Sequence, residues 1–305
     1  MAPPKRLNQR LRSRQCDEPV LQLRYRLEFV LYRLFGGLIR LMPIETASAM
    51  TGALVRWFAP LSKRHQRVLN QLKLAYPDMS DKEHATIAQK SWETMGRVLA
   101  ESFRLEEILK SDRVVVEDLA ALKARLAQCH GFIACTAHQG NWEVAVIPLT
   151  KMGIRTAGIY QRLKNPFVDA MVRQQRSMLY PDGLFQKQHS TALVATKYVK
   201  AGGALSVMAD LRELRGVKVP FFGQPAPSNP FPAMMAVSLN KPIFIAHVMR
   251  EHGVRFKIKV TEIEVARSGD RDADILETTT RIQAALENNI RVRPSEWMWS
   301  LGRWV

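Results

Sequence analysis

Cysteine is scarce in this chain: three in 305 residues, Cys16, Cys129 and Cys135, with no CxxC spacing among them. So sparse and odd a set argues against a disulfide framework and a structural zinc site, and for a reducing, cytoplasmic setting. Acidic residues are outnumbered, 28 Asp+Glu against 45 Lys+Arg, which leaves a formal net charge of +17. That excess admits nucleic acid, an anionic membrane surface or an acidic protein as partner. Long apolar runs are missing as well. A spanning helix needs about 20 mainly apolar residues, and the best candidate, 27–42, is interrupted by Glu28, Arg33 and Arg40. Arg33 also breaks the apolar core a cleaved leader would need. The longest uncharged stretch, 219–240, contains five prolines and reads as loops. Internal repeats and low-complexity tracts are absent too. What remains is a globular composition, 47% hydrophobic and 24% charged, long enough to bury a core unaided.

The charge is unevenly spread. Residues 1–40 hold nine Lys/Arg against three acids, so 1–23 reads as a basic mobile arm. Behind it, Arg26, Arg33 and Arg40 recur every seven residues and form one stripe of a helix. Leu27, Leu31, Leu34, Phe35, Leu38, Leu41 and Met42 occupy its other sides. A helix lying in an anionic interface has this pattern; so does a helix packed on a domain with a solvated basic edge. Residues 24–61 are therefore expected to form amphipathic helices at a membrane interface, within one domain running from 24 to 305.

Helical periodicity covers 24–42, 45–58, 63–76, 82–103 and 117–128, punctuated by Pro43, Pro60 and Pro77. Apolar runs of strand length follow at 131–136, 156–160, 204–209, 243–249 and 255–264. Helical stretches lie between most of them, at 142–152, 166–178, 191–201, 230–239 and 273–290. The expected class is α/β: a helical N-terminal region, then a mainly parallel sheet covered by helices.

In such a sheet, function gathers beyond the carboxyl ends of the strands. The run 131–136 ends in Ala137-His138-Gln139-Gly140-Asn141-Trp142-Glu143. Gly140 permits a tight turn, Asn141 suits a helix N-cap, and Glu143 falls in the first helical turn. Turn and cap together let the chain fold back, bringing His138 and Glu143 into contact. A histidine beside a carboxylate is a general base held in one tautomer. A capping or core histidine is the structural alternative. Neither GxSxG nor HExxH occurs, so the base would activate a hydroxyl brought by a substrate, as in direct acyl transfer to an alcohol.

The residues here resemble the late (lauroyl/myristoyl) acyltransferases of lipid A biosynthesis, whose catalytic motif is similar to that of the glycerol-3-phosphate acyltransferases. Four ordered blocks carry the likeness: His138 to Glu143; Tyr160 to Pro166; Asp210 through Arg215 and on to Pro220-Phe221-Phe222-Gly223; and Arg293 to Trp299, followed by Arg303-Trp304. Three positions depart from the family pattern. Gln161 stands where an arginine is usual, with Arg162 one place later; Leu211 replaces a frequent glutamine; and Leu301-Gly302-Arg303 replaces a His-Arg-Arg-like run.

The resemblance implies transfer of a fatty acyl chain from acyl carrier protein to the hydroxyl of a 3-hydroxyacyl chain on a lipid A precursor. His138 would be the base and Glu143 would orient it, with no metal and no bound cofactor. Substrate-binding candidates are Arg162, Asn165, Asp210, Arg215 and Arg303; Asp210 is also placed to support the site or anchor its loop. Trp297, Trp299 and Trp304 could line an acyl groove, form an interfacial belt or pack in the core. Expected partners are the acylated carrier protein, a phosphorylated lipid A precursor and an anionic membrane surface, with no nucleic acid. The setting would be the cytoplasmic face of a bacterial inner membrane, peripheral or monotopic. Two alternatives stand beside this: the same mechanism on another polar lipid, and a non-enzymatic basic protein binding membrane or nucleic acid.

Overall fold

The computed structural model of the chain describes residues 19–188 and 190–304. Most of the basic arm expected over 1–23, with Cys16, lies outside the described residues, as does His189. Helices α1 (Pro19–Leu41), α2 (Ile44–Phe58), α3 (Lys63–Ala75), α4 (Asp81–Glu101) and α5 (Leu105–Lys110) open the chain. Pro43 separates α1 from α2, and Pro77 separates α3 from α4, because proline cannot donate to a continuing helix. Helix α4 starts on a capping box: the Ser80 hydroxyl and the Glu83 backbone N–H meet at 3.3 Å, and Glu83 accepts the Ser80 N–H at 2.8 Å.

Alternation follows: β1 (Val114–Val116), α6 (Leu119–Ala127), β2 (Phe132–Thr136), α7 (Ile147–Lys151), β3 (Thr156–Tyr160), α8 (Pro166–Arg176), β4 (Leu184–Gln186), α9 (Thr191–Lys200) and β5 (Ala204–Met208). The hairpin β6 (Arg212–Phe221) and β7 (Gln224–Ser228) comes next, then α10 (Phe231–Leu239), β8 (Ile243–Arg250), β9 (Phe256–Ile263) and α11 (Arg271–Val292). Seven strands form one sheet in the order β1-β9-β8-β2-β5-β3-β4. Strand β2 runs parallel to β5 and β8, and β3 runs parallel to β5 and β4. Strand β9 turns back antiparallel to β8, since a link of a few residues is too short for a crossover. The expected architecture, a helical region leading into a mainly parallel covered sheet, is the one found.

Strands β2 and β5 are buried on both faces, as parallel strands between helical layers must be. Their carboxyl ends, with those of β3 and β4, share one edge of the sheet. The end of β6 and all of β7 lie within the stretch, 219–240, whose prolines suggested only loops. Pro220 faces Pro225 and Lys218 faces Pro227 in a ribbon of two strands, where an outward position needs no backbone donor.

Helix α1 has two kinds of face. Phe35 and Ile39 turn inward, and Tyr32 and Phe35 pack on Phe103 with ring centroids 4.7 and 5.6 Å away. Leu23, Leu27, Leu31, Leu34, Leu38 and Leu41 lie exposed in a stripe about 100° wide. Arg26, Arg33 and Arg40 flank it. Met50, Leu54, Trp57 and Phe58 of α2 and Leu61 beyond it are exposed as well. Among the described residues no helix is long and apolar enough to cross a membrane.

Candidate active site

The loop after β2 is held from three sides. Gly140 has φ +58°, and a Cβ there would lie 2.5 Å from the Val248 carbonyl oxygen, so only glycine fits. Its N–H donates to the Glu296 carbonyl at 3.0 Å, and the Met298 N–H donates to the His138 carbonyl at 2.9 Å. The C-terminal segment thus clamps the loop. Asn141 caps the following 3₁₀ turn through Oδ1, which accepts the Glu143 N–H at 3.1 Å. Asn141 Nδ2 donates to Glu101 at 2.8 Å. Glu101 is fully buried at the end of α4 and also accepts from Ser48 of α2 at 2.6 Å and from the Arg250 guanidinium at 2.7 and 2.8 Å. A buried carboxylate survives because it is paired and hydrogen-bonded throughout.

His138 faces Asp210, the residue that follows strand β5 and its Ala209. Its Nδ1 lies 2.9 Å from Asp210 Oδ1, and its backbone N–H donates to Oδ2 at 2.7 Å. The Trp297 indole N–H donates to the same Oδ2 at 2.9 Å. A carboxylate can only accept, so Nδ1 carries the ring proton and Nε2 keeps a free lone pair. Burial alone would raise the Asp210 carboxyl, but the His138 ring and backbone and the Trp297 indole hold it below its ordinary range.

The expected contact between His138 and Glu143 is therefore replaced. Glu143 is buried and takes a bidentate pair from Arg176 at the end of α8, with Nε to Oε2 at 2.8 Å and Nη2 to Oε1. The cause is charge: a largely buried guanidinium needs a carboxylate, and Glu143 outweighs the burial that would lower the arginine's proton affinity. Both residues stay beside His138 in the wall of one pocket.

That pocket has a volume of about 490 Å³ and is lined by His138, Trp142, Glu143, Arg176, Tyr160, Tyr180, Leu163, Val207, Met208 and Leu211, among others. Burial pushes the Tyr180 phenol up to about 12, so it remains a neutral donor. Each of the four sequence blocks contributes: the first and second line the pocket, the third supplies Asp210, and the fourth supplies Trp297. A histidine with a free Nε2 at such a pocket can take a proton from a bound hydroxyl. The model of the family described as bacterial lipid A biosynthesis acyltransferase matches residues 14–305. This chain belongs to that family. It is an acyltransferase with a lipid acceptor, and a non-enzymatic binding role is set aside. Similar proteins include a phosphatidylinositol mannoside acyltransferase of Mycobacterium tuberculosis strain ATCC 25618 / H37Rv, 27% identical over 84% of this chain and 81% of that one. The protein of the same description from strain CDC 1551 / Oshkosh is 26% identical over the same shares.

The other expected site residues scatter. Arg303 is fully buried, with Nη1 donating to the Pro227 carbonyl at 2.6 Å and Nη2 to Ser228 Oγ and Gln283 Oε1 at 2.5 and 3.1 Å. Burial pushes its guanidinium down to about 10. It braces β7 against α11 and offers nothing to a substrate, which corrects the expectation. Asn165 is buried as the N-cap of α8, and its Nδ2 donates to the Tyr25 carbonyl and Glu28 of α1 at 2.9 and 3.0 Å; it too is scaffold. Arg162 is exposed, 3.9 Å from Asp169, and Arg215 is exposed on β6; neither lines the pocket, whereas Gln161 and Arg212 do. Trp297, Trp299 and Trp304 are buried against Phe221 and Phe222, so they are core. Arg176 escaped the sequence reading because it lies 33 residues from Glu143, at the polar end of an ordinary helix; a basic residue closing a helix near the block-two loop was the only signal.

Proposed function

We propose that the chain moves a fatty acyl chain from the thioester of acyl carrier protein to the hydroxyl of a 3-hydroxyacyl chain on a phosphorylated lipid A precursor. The observation that carries the chemistry is the His138–Asp210 pair at the pocket. Asp210 fixes the ring and stabilises the imidazolium when it forms. Nε2 takes the acceptor's hydroxyl proton as its oxygen attacks the thioester carbonyl, giving a tetrahedral intermediate. The C–S bond then breaks and the imidazolium returns the proton to the leaving thiolate, which yields ester and free thiol. Glu143 holds Arg176 in the pocket wall, where a fixed cation can stabilise the oxyanion. Gln161, Arg212 and Lys187 are the polar groups at the mouth for the acceptor's head group, with Arg162 and Arg215 just beyond.

The exposed apolar stripe of α1, the exposed apolar residues of α2 and the flanking arginines support peripheral attachment to an anionic membrane, which we place at the cytoplasmic face of the inner membrane. The domain would run from 24 to 305, its helices over 24–61 serving as the membrane-facing part. The basic surface suits an acidic carrier protein.

A second reading keeps the mechanism and changes the acceptor to another polar lipid. The similar proteins named phosphatidylinositol mannoside acyltransferases favour it, as do Gln161 and Leu211 in the pocket wall. The test is acyl carrier protein loaded with a range of chains, offered a tetraacylated lipid A precursor and a phosphatidylinositol mannoside, with products followed by mass. Transfer to the precursor that vanishes in His138→Ala supports the first reading; transfer to the mannoside alone supports the second. No transfer to either, or full activity in His138→Ala, overturns the mechanism.

A further inference from the structure

Four residues of β6 are extruded beside the pocket mouth. Arg212 and Val217 both lie opposite Ser228 of β7, so residues 213–216 leave the ladder as a bulge. Gly216 makes the return possible: a Cβ there would sit 1.9 Å from the Ser228 carbonyl oxygen. The bulge presents Leu214, 68% exposed, beside an exposed Arg215. It is tied across the mouth, since Lys187 Nζ donates to Glu213 at 2.9 Å and both residues line the pocket with Leu211 and Arg212. Elsewhere on the rim, Leu163 lines the pocket and is exposed, and exposed Phe167 lies one helical turn further along the chain, past exposed Lys164. The Phe167 ring lies 5.8 Å from that of Phe29 on α1. Arg33 stands over the same Phe29 ring, 5.8 Å from its centroid, so the basic stripe of α1 lies between this contact and the exposed leucines.

A turn that only faced water would be built from polar residues, and a run of exposed leucines and a phenylalanine around one opening marks an interaction surface. We propose that this rim is a second membrane contact, distinct from the α1–α2 surface, which seats the pocket mouth on an anionic bilayer. Leu163, Phe167, Leu211 and Leu214 enter the interface, while Arg212 and Arg215 meet phosphate-bearing head groups. This rests on the membrane-attached reading above and adds to it where the acceptor enters: a lipid passes from bilayer to pocket with its chains shielded from water. An acidic carrier protein would engage the same arginines, but exposed leucines beside them, Leu214 above all, suit an anionic bilayer, which takes up apolar side chains and basic ones together.

The test is a tryptophan reporter, Leu214→Trp, in a Trp57→Phe background, so that the exposed tryptophan of α2 adds no signal. Anionic vesicles containing lipids brominated along the acyl chains serve as quencher. Emission that shifts to the blue and is quenched beyond the Trp57→Phe parent supports the proposal. So does a loss of roughly tenfold in vesicle partitioning for Leu214→Ser with Arg215→Gln, at unchanged melting temperature. A reporter that stays unquenched on a chain that still partitions overturns the proposal alone. Absence of partitioning by the unaltered chain overturns the membrane reading beneath it. Emission that responds to acyl carrier protein and not to vesicles assigns the bulge to the carrier and overturns the proposal as well.

Discussion

Helix α1 and strand β5 are both rich in large aliphatic residues, and they spend them in opposite directions. In β5, Ala204, Leu205 and Val207 are buried between the two layers of helices. In α1, most of the leucines lie exposed on one side while two aromatic residues and Ile39 hold the other side to Phe103. The difference teaches where the folding free energy resides. Each buried strand residue stabilises the fold, whereas the exposed stripe adds almost nothing to folding and is free to be removed from water by something else. The site draws on both kinds of residue: a carboxylate that follows β5 fixes the His138 ring, while Leu163 and Leu211 of the pocket lining are exposed.

The largest effect is on the chemistry. His138→Ala is expected to lower the acyl transfer rate of the folded chain by about 10²–10⁴-fold, and to lower the melting temperature as well because buried Asp210 loses its ring partner. Asp210→Asn, which loses the carboxylate that fixes the ring, should cost up to about 10⁴-fold in kcat. A rate for His138→Ala within a few fold of the parent would break the assignment.

Next comes the network that joins the two regions. Glu101→Ala leaves Arg250 buried without its partner and Asn141 and Ser48 without their acceptor, so a loss of about 3–5 kcal/mol in chemical denaturation is expected. Because Asn141 caps the turn carrying Glu143, kcat should fall in whatever fraction remains folded. A destabilisation below about 1 kcal/mol would show that the network is dispensable.

The third experiment measures the comparison directly. Changing Leu31, Leu34 and Trp57 together to serine should reduce partitioning to anionic vesicles by roughly a hundredfold, while stability moves by less than about 1 kcal/mol. Ile133→Ala in β2 should do the reverse, costing about 2–5 kcal/mol of stability and leaving the partitioning of the folded chain unchanged. If both variants lose stability alike, the stripe is core and the distinction fails.

The smallest effect concerns a buried histidine of the sheet. Burial, with Arg293 and Lys259 nearby, pushes His247 down from 6.5 to about 4. The unfolded chain then binds this proton more readily than the folded one, so the contribution is full above pH 6.5 and lost as pH falls toward about 4. Its size is at most about 3 kcal/mol. His247→Gln should flatten the stability profile across that window in urea melts; an unchanged slope would remove His247 as its cause.

Much of the fold was legible because it is written in short-range patterns. Periods of about four and two marked helices and strands, Pro43 and Pro77 marked breaks, and Ser80 with Glu83 marked a cap. The hairpin β6–β7 was hidden because its prolines are tolerated only in a ribbon with no further neighbours. Strand β1 was hidden because three valines make no period. At the site, His138 and Asp210 were readable as chemistry-bearing types at strand ends, and Glu143 as one at a helix start. Their pairing was not, since whether His138 meets Glu143 or Asp210 depends on Arg176, which arrives from another helix. Arg303 misled for a related reason: an arginine reads as surface until the residues around it are known.

The sequence by itself determined the class of fold and the blocks that mark the family, because backbone preference and side-chain chemistry are properties of single positions and their near neighbours. Only the tertiary structure decided which carboxylate holds His138, which arginine enters the pocket wall, and which leucines remain outside. Those outcomes depend on distances between residues far apart in the chain, and on burial, which makes an unpaired charge too costly to leave and an exposed leucine a surface still to be covered.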